Sequence, residues 1–183
     1  YQRLFEIANV HTAEQFGLDV PEGVYEEMAD AVDDADEWAE IRERDWFRSA
    51  QATAEEQGFF HWELEYPEVF FSEDGKKRDD AGFDAVVGNP PYVNIQNLHS
   101  NVESQIDYFD SYYETSTGKY DIYAIFCEKG MALRSEYGYV SYIMPNKFFT
   151  ADYGEGLRSY LCNGQNIRQI TDFGTSQVFP GLS

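Results

Sequence analysis

No run of about 18 consecutive apolar residues occurs anywhere in the 183-residue chain, so nothing in it reads as a membrane-spanning helix. The opening Tyr1-Gln2-Arg3-Leu4 has neither the apolar stretch nor the small-residue cleavage site of a secretory signal. Cysteine is scarce: Cys127 and Cys162 sit in helix-like segments with no pairing pattern, which predicts two buried, reduced thiols and a cytoplasmic setting rather than a disulfide scaffold. Histidine is equally sparse, and His11, His61 and His99 stand too far apart for metal-ligand spacing. Positive charge is the most pronounced shortage. Thirteen Lys and Arg face 34 Asp and Glu, a net charge of -21, which excludes a protein whose main business is a broad grip on phosphates.

The acidity is uneven. Residues 1–80 carry a net charge of -16 and residues 81–183 only -5. A surface so rich in carboxylates suits very high salt, where self-repulsion is screened within about 3 Å at 1 M. In the less acidic half, Lys147, Arg158 and Arg168 are candidate contacts to nucleic-acid phosphates.

Aromatic residues are abundant at 17%, with 14 Phe and 14 Tyr, so the chain has the material for a packed core. Residues 1–57 read as helices. Leu4, Ile7 and Ala8 recur at helical spacing, and Trp38, Ile41, Trp46 and Phe47 form an apolar stripe among charges. Gly58 ends that pattern, and Phe59 to Tyr66 alternates in a way that suits a strand. Residues 72–80 are charged and read as a loop.

Phe83-Asp84-Ala85-Val86-Val87 is a short apolar run stopped by Gly88 and two prolines, the texture of a buried parallel strand. Helices are predicted near 102–113, 120–136 and 150–162, with further strands over 138–144 and 167–173. The alternation predicts an α/β fold on a parallel sheet. Gly154-Glu155-Gly156 has two glycines of a dinucleotide loop but follows no strand, so it reads as a helix start.

The chemistry concentrates in Asn89-Pro90-Pro91-Tyr92. It directly follows the 83–87 run, at the carboxyl end of a parallel strand, where open α/β sheets bind ligands. Asn-Pro and Pro-Pro are turn dipeptides in any context, yet this tetrapeptide arises by chance on the order of once in a few thousand chains of this length. Pro90 and Pro91 bring no N–H groups, so the turn is rigid and presents carbonyl acceptors without competing donors. The Asn89 side-chain oxygen and the Pro90 carbonyl can each accept one hydrogen of a planar amine, turning its lone pair out of conjugation. The flat ring of Tyr92 suits stacking on a base, worth about 1–3 kcal/mol. An extruded adenine fits this arrangement.

These residues resemble the S-adenosylmethionine-dependent amino-methyltransferases, in particular the N6-adenine DNA methyltransferases of restriction-modification systems. Residues 82–93 are similar to the catalytic motif with its leading strand. The likeness continues through Lys119 to Glu128, Gly138 to Phe149 and Ile170 to Gly174. It covers residues 58–183 and is nearest to the large methylase subunits of the type IIG class.

The resemblance implies a partial Rossmann-like methyltransferase sheet over 58–183, preceded by an acidic helical segment over 1–57. It implies S-adenosylmethionine as cofactor and double-stranded DNA with a flipped adenine as substrate, with a fused or associated endonuclease. Asn89 and Pro90 would bind the target amine, Pro91 would stiffen the turn, and Tyr92 would stack on the base. Phe179 would be the second aromatic of a base sandwich, and Phe59 a contact to the cofactor's adenine.

The pattern departs from the family in one respect. The glycine-rich cofactor loop should precede the catalytic strand, yet residues 1–57 contain only Gly17 and Gly23. The expectation is that this loop lies upstream of Tyr1 in a longer parent. A methyltransferase acting on a protein glutamine amide or an RNA base, and a non-catalytic fragment, are the alternatives.

Overall fold

The computed structural model describes residues 1–97, 103–164, 167–174 and 176. The chain forms two compact units: Tyr1–Asp84 with described residues of Asn101–Tyr108 and Ser135–Gly138, and a second unit holding the remainder.

The first unit is built on α1 (Gln2–Gln15), α2 (Val24–Ala31), α3 (Ala35–Arg42) and α4 (Asp45–Gln57). Each helix places apolar residues on one stripe, and Val10, Met28, Trp38, Ile41 and Phe47 meet in a buried cluster. Burying such a side chain stabilises by about 1.5–3 kcal/mol. Glu6 is the polar tie of this unit: its carboxylate accepts from Trp38 Nε1 at 2.7 Å and from Arg42 Nη2 at 2.7 Å. Asp34 caps α3 by accepting from the Asp36 and Glu37 amides at 2.9 and 3.0 Å. Gly58 closes α4 at φ 67°, a left-handed conformation that glycine adopts without penalty.

Residues 59–66 do not form the expected strand. The segment folds into α5 (Trp62–Glu65), followed by α6 (Pro67–Phe70) with its proline in the first turn. The reason lies in the spacing of the large rings. Trp62, Tyr66 and Phe70 recur every four residues, and all three pack edge-on against Phe83 at 5.5 to 5.7 Å. A helical period dominates the apparent alternation.

The strand expected at 83–87 is present as β1 (Phe83–Gly88), and the helix expected near 102–113 as α7 (Glu103–Tyr112). The next helix, α8 (Ile122–Leu133), gives way directly to β2 (Arg134–Tyr142), so the chain turns extended before the expected residue 138. α9 (Glu155–Cys162) begins after Gly154, as a helix start rather than a dinucleotide loop.

β1 and β2 form a two-stranded sheet. Gly138 lies against the Phe83 and Asp84 carbonyls, while the Ile143 amide donates to the Gly88 carbonyl at 3.2 Å. Both strands therefore run the same way, and the sheet is parallel. It is barer than the sequence suggests. Val87, expected in a buried strand, is 78% exposed because β1 has a strand neighbour on one side only among the described residues.

The third expected strand, 167–173, has no ladder among the described residues. Asp172 instead accepts from the Gly174 amide two residues on at 2.9 Å and from Asn146 Nδ2, 26 residues away, at 3.2 Å. The result is a mixed helix-and-strand chain with a small parallel sheet.

In the second unit, Tyr123, Ala124, Cys127, Phe148 and Leu157 form the buried cluster. The Glu128 carboxylate accepts from the Glu114 and Thr115 amides at 3.0 and 2.9 Å, fixing the chain ahead of α8. Both cysteines are free, but only Cys127 is buried. Cys162, expected inside, is exposed at the end of α9. No helix among the described residues is long and apolar enough to cross a membrane.

Candidate active site

Asn89-Pro90-Pro91-Tyr92 leaves the carboxyl end of β1 beside the end of β2, at the place the sequence assigns it. Pro90 is buried and anchors the turn, whereas Asn89, Pro91 and Tyr92 are exposed. The Tyr92 ring is 44% exposed, so it has a free face to offer.

The turn is held from two sides. On one side the Ile143 amide bonds the Gly88 carbonyl, and the Tyr92 hydroxyl lies 3.1 Å from the Ile143 carbonyl oxygen. On the other, the Ile122 amide donates to the Val93 carbonyl at 2.8 Å and the Ile95 amide to the Tyr120 carbonyl at 3.0 Å. Asn94 completes this second tie. Its Nδ2 donates to the Lys119 carbonyl at 3.1 Å and to Asp121 Oδ1 at 2.9 Å, while its own Oδ1 accepts from the Gln96 amide at 3.1 Å.

Asn94, Asp121 and Ile143 thus hold the turn in place, and nothing in the sequence reading marked them for it. The Asn94-x-Gln96 spacing is the one local signal, a side chain bonding the amide two residues on. The partners of Asn94 in the other direction lie 25 and 27 residues away, beyond the reach of any local pattern.

Within the turn, the Tyr92 hydroxyl donates to Asn89 Oδ1. The two residues given separate roles by the sequence are therefore in contact. The acceptor that an incoming amine would use is engaged by a neutral donor.

The sequence also named Phe59, Phe179 and three cationic residues. Phe59 belongs to the first unit, half-buried against the helical cluster, with its ring 5.1 Å from that of Phe16. Phe179 lies outside the described residues. Among the candidate phosphate contacts, Arg158 is committed to the fold, its Nη1 donating to the Phe148 and Ala151 carbonyls at 2.6 and 2.8 Å. Arg168 lies over the Tyr139 ring, 5.4 Å from its centroid. Lys147 is exposed in the turn that follows β2.

The described residues do not fit S-adenosylmethionine by themselves. The chain ahead of β1 is helical from Gln2 to Gln57 and again from Trp62 to Phe70, with no strand, glycine turn and helix in succession. The cavity of about 270 Å³ beside Glu114, Thr117 and Ser159 includes no residue of the turn.

The comparisons with known proteins bear on the chain as a whole. A family model described as Eco57I restriction-modification methylase matches residues 11–179. The chain belongs to that family, and it is a methylase chain of the restriction-modification kind.

Among curated relatives, the type II restriction enzyme and methyltransferase RM.Eco57I of Escherichia coli is 33% identical over 97 residues, 53% of this chain and 10% of that protein. The type II methyltransferase M.HincII of Haemophilus influenzae is 29% identical over 120 residues, 66% of this chain and 24% of that protein. The type II methyltransferase M.BstVI of Geobacillus stearothermophilus is 31% identical over 97 residues, 53% of this chain and 17% of that protein. The chain spans between a tenth and a quarter of the length of these relatives. No solved structure matches it.

Proposed function

We propose that this chain supplies the target-amine side of a site-specific DNA methyltransferase, which transfers a methyl group from S-adenosylmethionine to adenine N6 within a restriction-modification or related phage-defence system. The observation that carries the reading is the position of Asn89: a side-chain carbonyl on a proline-stiffened turn, at the carboxyl end of a parallel strand.

The chemistry follows from donor and acceptor counting. An adenine amine has two N–H bonds and a lone pair delocalised into the ring. Asn89 Oδ1 takes one hydrogen and the Pro90 carbonyl the other, and holding both in a pyramidal arrangement about nitrogen takes the lone pair out of conjugation with the ring. Because Pro90 and Pro91 fix the backbone, little reorganisation is needed when the amine arrives. The exposed Tyr92 ring then stacks on the extruded base. No covalent intermediate with the protein is required, in keeping with a buried Cys127 whose thiol burial pushes up to about 12.

Partners follow from the same reading. Double-stranded DNA is the substrate, with Lys147 the candidate phosphate contact and Phe179 the second aromatic of the base sandwich. The contact with Phe59 is proposed for the cofactor's adenine. An endonuclease, fused or associated, is supported by the Escherichia coli relative, which is both a restriction enzyme and a methyltransferase.

The test is to incubate the intact protein with labelled S-adenosylmethionine and unmethylated DNA, then digest the DNA to nucleosides. Label in N6-methyladenine is the expected result. Label on cytosine, or DNA left unlabelled by a folded protein, overturns the assignment.

A further inference from the structure

Stacking on a base asks only for the Tyr92 ring, yet the free site also uses the hydroxyl. That hydroxyl donates to Asn89 Oδ1 and lies 3.1 Å from the Ile143 carbonyl oxygen. Both neighbours are acceptors, and a phenol carries a single hydrogen. The phenol can therefore donate to only one of the two oxygens at a time. The target amine, whose two hydrogens go to Asn89 Oδ1 and the Pro90 carbonyl, competes with the phenol for the first of these, while the Ile143 carbonyl offers the phenol another acceptor.

The geometry points to the Tyr92 hydroxyl as a displaceable plug on the amine site: it holds Asn89 Oδ1 in the free protein and yields it to the target amine when the base enters. This rests on the reading of Asn89 as the amine acceptor. The plug keeps the Asn89 carbonyl engaged and ordered before substrate arrives, and it competes with the base for the same oxygen. Once displaced, the phenol hydrogen still has the Ile143 carbonyl, just past the end of β2, as its acceptor.

The exposure of the side chain gives it room to move, since Asn89 and Tyr92 are both at the surface. Displacement costs one neutral hydrogen bond, so removing the hydroxyl while keeping the ring favours base entry by about two- to tenfold.

The variant that isolates the hydroxyl is Tyr92→Phe, prepared in the intact protein beside wild type and Asn89→Ala. A DNA duplex with 2-aminopurine next to the target adenine reports base extrusion by fluorescence, and steady-state methylation gives KM and kcat separately. The expected result for Tyr92→Phe is extrusion enhanced and KM lowered by about two- to tenfold, with the protein still cooperatively folded because the ring and its packing remain. Unchanged or weaker extrusion in a folded Tyr92→Phe, with Asn89→Ala inactive, overturns the plug and leaves the assigned function standing. Retained methylation by Asn89→Ala overturns the function itself, and the plug with it.

Discussion

Gly138 passes so close to Phe83 that a Cβ at position 138 would lie 2.4 Å from the Phe83 carbonyl oxygen. The obstruction is backbone, which cannot swing aside as a side-chain tip can. Gly138→Ala is therefore expected to push β2 away from β1 and to destabilise the protein by about 1–3 kcal/mol. Thermal melts followed by circular dichroism check this. The same displacement acts on the sheet that carries the Asn89 turn, so methylation should fall together with stability.

Much of this arrangement is legible in the sequence. Phe83 to Val87 reads as a strand because an apolar run ends abruptly at Gly88 and two prolines, and the acceptor turn follows from that end. The helices before Gly58 are equally plain, since their apolar residues share one stripe. Trp62, Tyr66 and Phe70 misled the reading: every fourth residue is aromatic, but so many neighbours are large that a period of two is also present. Residues 167–173 have the pattern of a strand and lack a ladder partner among the described residues, which no single segment can reveal. The contact between Tyr92 and Asn89, and the tie from Asn94 to Asp121, depend on rotamers and on distant chain. Neither leaves a local trace.

The two cysteines should behave differently toward alkylation. Cys127 is buried and its thiol is pushed up to about 12, so the nucleophilic thiolate is scarce at pH 8. Cys162 is exposed. Iodoacetamide at pH 8 is expected to modify one cysteine in the folded protein and both in denaturant, as read by mass spectrometry of the peptides.

Acid should weaken the cap of α3. The amides of Glu37 and Asp36 hold the Asp34 carboxyl below the ordinary carboxylate range. A group depressed in this way adds stability above its unfolded value of about 3.9, and that contribution is lost as pH falls through the lower folded value. Asp34→Asn keeps an acceptor but cannot titrate, so its acid unfolding limb should be shallower than that of wild type. Asp34→Ala should melt earlier at neutral pH. Melts across pH 2–7 distinguish the two.

Phe59 offers a way to separate packing from cofactor contact. Its half-buried ring rests on the helical cluster near Phe16, so Phe59→Ala is expected to cost about 1–2 kcal/mol of stability. Phe59→Leu retains most of the apolar volume. If it also retains S-adenosylmethionine affinity in calorimetry, the ring serves packing. A loss of affinity without a loss of stability assigns it to the cofactor.

The central claim is that Asn89 holds the target amine, and the most direct measurement of it is the methylation rate of Asn89→Ala in the intact protein, with S-adenosylmethionine affinity measured alongside. The account predicts that methyl transfer to adenine falls by at least about a hundredfold, the loss expected when a preorganised polar group is removed, while cofactor affinity and folding are unchanged. Methylation near the wild-type rate in that variant would contradict it.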